Sequence, residues 1–187
     1  MTNKILNFFF ELGQLRRIKH EGWRTIGIIH PESVADHSLR AAQIGYILAK
    51  LEKYKNPEKV VTMIVFHDIG ECRVGDIHKI ATRYIKVDES QAVKEQTKPL
   101  EKLGKEIYNL WECAETQKNI AGKIAKDADL LEQAVTAKEY IEKGNKFAQN
   151  WIDNISKKLL TKTAKTLVKA LEKSSAHNWW KEIKKIF

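Results

Sequence analysis

Residues 60–71 read VVTMIVFHDIGE, an almost unbroken apolar run that ends in the polar pair His67-Asp68. Such a run is typical of a buried helix, and a carboxylate at its end is costly to bury unless a cation compensates it. Imidazole nitrogen and carboxylate oxygen both bind divalent metals, and adjacent helical residues, about 100° apart around the axis, can reach one ion from the same side. The pair therefore predicts part of a metal site.

Two further carboxylates follow this pair at short spacing. Glu71 comes four residues after His67 and three after Asp68, so it projects from the same helix face, about one turn on. A carboxylate near the metal but outside its ligand shell can take a proton from water held there. Asp76 follows in a loop that Gly75 opens, and it is a candidate for binding a substrate hydroxyl.

The remaining metal ligands have to come from other helices. His37 lies within the apolar stripe of a predicted helix, where a lone histidine is usually structural, but the His67-Asp68 pair favours a ligand role. A fourth ligand is expected from the segment AKDADLLE at residues 125–132. Asp127 falls on the apolar stripe of that helix, whereas Asp129 lies beside small residues that allow another helix to approach. Spacing alone leaves this choice open.

Helical periodicity extends over most of the chain, which contains only three prolines and nine glycines. No run alternates like a strand, and we predict an all-α fold, a single bundle of about six to eight helices. We expect one domain over residues 1–187, with a core in 5–145 and C-terminal helices in 146–187 that pack on it. The predicted helices cover residues 5–18, 33–54 (Ser33 as N-cap, with Asp36), 56–72 (Asn56 as N-cap), 89–111 (bent near Pro99), 117–143 (ended by Gly144), 155–173 and 178–186.

Bulk composition restricts the class of protein without deciding the function. The net charge is +9, with 33 Lys and Arg against 24 Asp and Glu, so the chain attracts anions. Cys72 and Cys113 match no zinc-site spacing, and a cytosolic protein keeps such thiols reduced. The apolar stretch near the N-terminus is too short for a membrane span or a signal peptide. We therefore expect a cytoplasmic protein without a membrane partner, and the long apolar stripes favour a homodimer.

The arrangement His37 … His67-Asp68 … Asp129 resembles the H…HD…D signature that names the HD superfamily. Further segments are similar to its 5′-deoxynucleotidase branch over roughly residues 5–145. These segments are LRR at 15–17, GW at 22–23, PESVADH at 31–37, HDIGE at 67–71, GD at 75–76 and KDAD at 126–129.

The resemblance implies a metal site. One divalent ion, from among Co, Mn, Zn, Ni, Fe and Mg, is expected to bind His37, His67, Asp68 and Asp129. The family pattern, and not the helical spacing, selects Asp129 over Asp127.

The resemblance also implies roles around the metal. Glu71 is expected to act as general base or to position the attacking water, and Asp76 to contact the sugar near its 3′ side. Trp23 is expected to pack on the deoxyribose. Arg17 and Arg24 are the residues that we expect to hold the phosphate.

The implied activity is removal of the 5′-phosphate from a (deoxy)nucleoside monophosphate, a small-molecule substrate, without a phosphoenzyme. Two alternatives stay open: an HD phosphohydrolase or phosphodiesterase acting on another nucleotide, such as a cyclic nucleotide or an alarmone, and a non-catalytic metal-binding signalling module. Nucleic-acid binding is not expected, because the basic tail at residues 157–173 is not interleaved with stacking aromatic residues in a recognisable motif.

Overall fold

The structure is a computed structural model, and it describes residues 1–184. This part of the chain contains ten α-helices and no named strand, which confirms the all-α prediction. The helices are α1 (Thr2–Leu12), α2 (Val34–Leu51), α3 (Pro57–Val65), α4 (Glu71–Val74), α5 (Glu89–Thr97), α6 (Glu101–Thr116), α7 (Ile120–Glu142), α8 (Gln149–Ser156), α9 (Lys162–Lys173) and α10 (Asn178–Lys184). The predicted last helix extended to residue 186, so its final two residues lie outside the described residues.

Three of the predicted helices are divided, which raises the helix count. The segment 56–72 stays helical only to Val65, and residues 66–70 form turns before α4 begins. The segment 89–111 is interrupted by a short 3-10 turn over Lys98–Leu100, where Pro99 has no N–H to donate. The segment 155–173 is split by a loop that ends at Thr161, the N-cap of α9.

The N-terminus of α2 is fixed by the capping box that its sequence predicts. Ser33 Oγ accepts a hydrogen bond from the backbone N–H of Asp36, and Asp36 Oδ2 accepts one from the backbone N–H of Ser33. The Ser33 hydroxyl and the Ser33 backbone N–H both donate to the Asp36 carboxylate, and these two hydrogen bonds lower the pKa of Asp36. The next residue is His37, so the cap sets the position of the first expected metal ligand. Asn56, in contrast, makes no side-chain cap on α3.

Helix α7 lies at the centre of the fold and packs against α2, α3, α6, α8 and α9. Five of its thirteen buried positions are alanine and one is glycine, which allows close helix approach. Gly45 on α2 serves the same purpose, because a Cβ atom there would come within 2.2 Å of the Ile64 side chain. Helices α2, α3 and α7 are thereby drawn together around the residues that are expected to bind the metal.

One hydrophobic cluster extends from Trp23 to Val168 and includes side chains of α2, α3, α7, α8 and α9. Ile152, Ile155 and Leu159 carry the C-terminal part into this cluster. A second cluster, around Trp111, joins α1, α5 and α6. Among residues 1–184, no helix combines the length and the apolar character that crossing a membrane requires.

Candidate active site

The four expected metal ligands come from three parts of the fold and meet at one point. His37 lies on α2, His67 and Asp68 lie in the turn after α3, and Asp129 lies on α7. His37 Nε2 is 3.3 Å from an Asp129 carboxylate oxygen and 3.9 Å from one of Asp68. One ligand atom each of His37, His67 and Asp68 lies within 4.8 Å of the other two. Two imidazole nitrogens and two carboxylates form a donor set that divalent metals accept.

The orientation of His67 leaves a lone pair directed into this site. Its Nδ1 lies 2.7 Å from the backbone carbonyl oxygen of Ile64, which can only accept, so Nδ1 carries the proton. Its Nε2 is buried and makes no hydrogen bond, although an Asp68 oxygen lies 3.0 Å away at an unsuitable angle. When the His67 ring is neutral, its Nε2 and the Asp68 oxygen are therefore both acceptors, and they face each other across 3.0 Å. A cation between them satisfies both atoms, and this is the observation by which the site fits a divalent metal.

His37 is held from behind by a buried carboxylate. Its Nδ1 is hydrogen-bonded to Glu132, which has no solvent exposure and also accepts a 2.8 Å bond from Arg40 Nε. Burial lowers the pKa of His37, but hydrogen bonds to Asp129 and Glu132 outweigh that effect and raise the pKa well above its usual value. The site thus requires positive charge beside Nε2, which either a proton or a divalent ion supplies.

The structure separates the two aspartates that spacing could not separate. Asp129 faces His37 and accepts hydrogen bonds from Lys126 (2.7 Å) and Gln133 (2.8 Å). Although burial opposes ionisation, Lys126 and His37 hold the pKa of Asp129 well below its usual value. Asp127 points away from the site.

Asp127 instead fixes the start of α9. Its two carboxylate oxygens accept hydrogen bonds from the backbone N–H groups of Leu160 (2.8 Å) and Thr161 (2.6 Å), and the side chain is fully buried. The apolar stripe on which Asp127 lies therefore faces the core and the C-terminal helices.

Glu71 and Asp76 lie beside the metal ligands. Glu71 Oε2 is buried and has no hydrogen-bond partner among the described residues. Burial, together with the negative charges of Asp68 and Asp76, raises the pKa of Glu71 to about 10. A cation held by Asp68 opposes this shift. Asp76 accepts a 2.6 Å hydrogen bond from the backbone N–H of Glu21 and so ties the first loop to the site.

The ligands border a cavity of about 670 Å³, which is the size of a small-molecule site. Glu71 and Asp76 line it together with His37, Asp68 and Asp129. The other walls come from the first loop (residues 22–26), the loop after α4 (residues 76–80), α7, and the segment from Phe147 to Lys158. The C-terminal segment, which carries none of the sequence motifs, therefore supplies one side of the cavity.

Trp23 lines this cavity but is largely a packing residue. Only 2% of it is exposed, and its ring stacks on Trp151 with centroids 4.7 Å apart and planes at 25°. Tyr140 meets it edge-on at 5.1 Å. Trp151, which the sequence analysis did not single out, comes from α8 and is more exposed than Trp23. The Trp23–Trp151 stack therefore forms this part of the cavity wall as one unit.

Arg17 and Arg24 do not line the cavity. Arg17 donates a 3.1 Å hydrogen bond to the Gly13 carbonyl, and Arg24 pairs with Glu21 at 3.0 Å. The cationic side chains along the wall are instead three lysines, Lys79, Lys126 and Lys158. The sequence analysis missed them, because one lysine among many carries no local signal of where it lies in space.

Comparison with known proteins agrees with this geometry. The family described as HD domain matches residues 12–172. The 5′-deoxynucleotidase HDDC2 of Dictyostelium discoideum is 37% identical over 145 residues, covering 72% of this chain and 76% of the relative. The HDDC2 of Bos taurus is 35% identical over 149 residues, covering 78% of this chain and 72% of the relative. A solved structure, a conserved hypothetical protein from Pyrococcus furiosus, matches with a TM-score of 0.75 at 28% identity over 90% of this chain and 99% of that chain. The chain belongs to the HD-domain family.

Proposed function

We propose that this protein is a metal-dependent phosphohydrolase that removes the 5′-phosphate from deoxynucleoside monophosphates, giving a nucleoside and inorganic phosphate. The relatives named 5′-deoxynucleotidase support this substrate class. The observation that carries the proposal is that His37, His67, Asp68 and Asp129 converge, and that His37, Asp68 and Asp129 line a cavity together with Glu71 and Asp76. The residues that would hold the metal, the proposed base Glu71 and the substrate cavity then lie next to one another.

His37, His67, Asp68 and Asp129 would hold one divalent ion. When bound, such an ion makes water more acidic and offsets negative charge on phosphoryl oxygens. Co, Mn, Zn, Ni, Fe and Mg are the candidates, and two buried imidazoles favour the transition metals over Mg. Glu132 holds the proton of His37 on Nδ1, so that Nε2 is left to bind the ion.

Glu71 acts as the general base. Its unpartnered oxygen accepts a proton from the water that attacks phosphorus. A new P–O bond forms, the bond from phosphorus to the 5′-oxygen breaks, and the leaving 5′-oxygen takes up a proton to become the nucleoside hydroxyl. Asp76, with one oxygen engaged by Glu21, offers the other to the 3′-hydroxyl of the sugar. The Trp23–Trp151 stack packs against the sugar.

The test is phosphate release from a panel of nucleotides by protein loaded in turn with each metal. The panel contains 5′-deoxynucleoside and 5′-ribonucleoside monophosphates, a 3′-monophosphate and cyclic nucleotides. We expect turnover of the 5′-deoxynucleoside monophosphates, and loss of turnover by orders of magnitude in Glu71→Ala with its metal content retained. Metal binding without turnover of any nucleotide would favour the signalling-module alternative. Turnover confined to cyclic nucleotides would favour a phosphodiesterase.

We also propose that the chain forms one domain, because a single core cluster joins Trp23 to Val168. We propose a homodimer as well, because α2 exposes Leu39, Tyr46, Ile47 and Leu51 along one outer face. A cytoplasmic location suits the two free cysteines, Cys72 and Cys113. Light scattering after size exclusion measures the mass directly, and a monomer at micromolar concentration would exclude the dimer.

A further inference from the structure

Two lysines on opposite segments of the chain reach the same cavity, and neither pairs with an acidic side chain among those that the structure describes. Lys79 lies in the loop after α4 and Lys158 follows α8, and both line the cavity that His37 and Asp129 border. Lys126 is engaged already, since its Nζ lies 2.7 Å from an Asp129 oxygen. Among the side chains that the structure describes, no carboxylate oxygen lies within 4.0 Å of the ammonium group of Lys79 or Lys158. Their charge is therefore available to a ligand.

The fold holds Lys158 close to Lys79, and the two positive charges disfavour each other. A contact with Lys158, together with burial and the charge of Lys126, lowers the pKa of Lys79 to about 8. The backbone at Lys158 is anchored on its C-terminal side, because Leu159 is buried in the core and the N–H of Leu160 is bonded to Asp127. Two ammonium groups held together repel each other, and an anion bound between them removes that repulsion.

We propose that Lys79 and Lys158 form the subsite that binds the phosphate group of the substrate, a phosphomonoester dianion. The inference rests on the proposed function and deepens it, since it assigns the phosphate to these lysines and not to Arg17 and Arg24. The two lysines bind phosphate oxygens from the loop side and the C-terminal side of the cavity, which His37, Asp68 and Asp129 also line. The C-terminal segment thus takes part in substrate binding through Lys158.

The experiment measures the binding of inorganic phosphate to the metal-loaded protein by isothermal titration calorimetry. Lys79→Gln and Lys158→Gln are compared with Lys86→Gln and Lys157→Gln, which remove the same charge from the same two segments at positions that do not line the cavity. We expect about tenfold weaker phosphate binding in each cavity variant, as for loss of one charge-assisted hydrogen bond. The two controls should bind phosphate like the wild type. With substrate, the cavity variants should raise KM more than they lower kcat.

Binding of the deoxynucleoside product is the second readout, and it should be the same in all four variants. Three results would overturn the inference: cavity variants that match their controls, a wild-type protein that does not bind phosphate, or an equal loss of nucleoside binding in the cavity variants. Phosphate binding does not depend on turnover. A protein that hydrolyses no nucleotide, yet loses phosphate binding only in Lys79→Gln and Lys158→Gln, would refute the proposed function and leave the anion subsite in place.

Discussion

Replacing Asp127 by asparagine is expected to destabilise the C-terminal helices without emptying the metal site. The two oxygens of Asp127 accept the N–H groups of Leu160 and Thr161, and the side chain is fully buried. An asparagine can accept one of these bonds through its carbonyl oxygen. Its NH₂ group then faces the other N–H, so one buried donor is left without an acceptor. Asp129→Asn is the matched variant, because it removes the same charge two residues further along α7.

The expected loss of unfolding free energy in Asp127→Asn follows from the two hydrogen bonds that Asp127 accepts. One charge-assisted hydrogen bond is lost and one buried donor is left unsatisfied, which together cost about 2–4 kcal/mol of unfolding free energy. For a domain of this size, each kcal/mol lowers the melting temperature by roughly 2–4 °C, so the expected drop in melting temperature is roughly 5–15 °C. Asp129→Asn replaces a carboxylate that lies 3.3 Å from His37 Nε2, and its main effect is expected on metal binding.

Urea unfolding followed by circular dichroism, in the presence of chelator, gives the stability of each variant, and elemental analysis of protein purified with metal gives the occupancy. Asp127→Asn should unfold at lower urea and keep its metal, and Asp129→Asn should lose metal. Metal loss in Asp127→Asn, together with destabilisation and retained metal in Asp129→Asn, would refute this assignment of the two aspartates. It also fails if Asp127→Asn changes the unfolding free energy by less than about 0.5 kcal/mol, the range of an ordinary surface substitution.

Three other variants test separate parts of the site. Glu132→Gln should weaken metal binding about 10–100-fold, because Glu132 orients His37. Titration of the metal against a competing chelator measures the affinity, and an unchanged affinity would show that Glu132 does not orient His37. Glu71→Gln, with chelator present, should be more stable than the wild type, and the difference should grow as pH rises from the unfolded pKa of 4.5 towards the folded pKa of about 10. Over that window Glu71 ionises only in the unfolded wild type, so the wild type loses stability as pH rises. Urea titrations at several pH values measure the difference, and a difference that does not change with pH would contradict the burial of Glu71. Trp23→Ala should lose about 3–5 kcal/mol of stability, as expected for truncating a buried aromatic residue, and a loss below about 1 kcal/mol in the same assay would argue against its packing on Trp151.

The fold class and the His67-Asp68 part of the candidate metal site were predictable because their signals are local, whereas the choice of Asp129 came from the family resemblance. Helical periodicity identified the all-α class, and the polar pair His67-Asp68, at the end of an apolar run, marked the candidate site. Helix boundaries were less accurate, since a turn can follow an apolar run with no change in periodicity, as after Val65. At Pro99 the break was signalled, and the missing N–H produced a 3-10 turn where a bend was predicted.

The cavity walls were not predictable, because they depend on contacts between distant segments. Arg17 and Arg24 were predicted to hold the phosphate because of their place in the first loop. Arg17 instead donates to the nearby Gly13 carbonyl, and Arg24 pairs with the nearby Glu21. Trp151 and Lys158 reach the cavity only because α8 packs on α7, and no motif marks them in the sequence. Asp127 did carry a usable signal, since a carboxylate on an apolar stripe has to find donors in the core, and here these are backbone N–H groups.

The position of Lys158 depends on the same turn of α7 that carries Asp129, an expected metal ligand. Asp127 anchors residues 160 and 161 beside Lys158, and Asp129, two residues along the helix, reaches His37. Loosening the anchor should therefore weaken phosphate binding as well as stability, because Lys158 then loses part of its order before an anion arrives. We expect Asp127→Asn to bind inorganic phosphate several-fold more weakly at a temperature where it is still folded, with metal occupancy unchanged. If phosphate affinity instead stayed at the wild-type value while stability fell, the anchor would serve only to hold α9, and Lys158 would be positioned by the apolar packing of Ile155 and Leu159 alone.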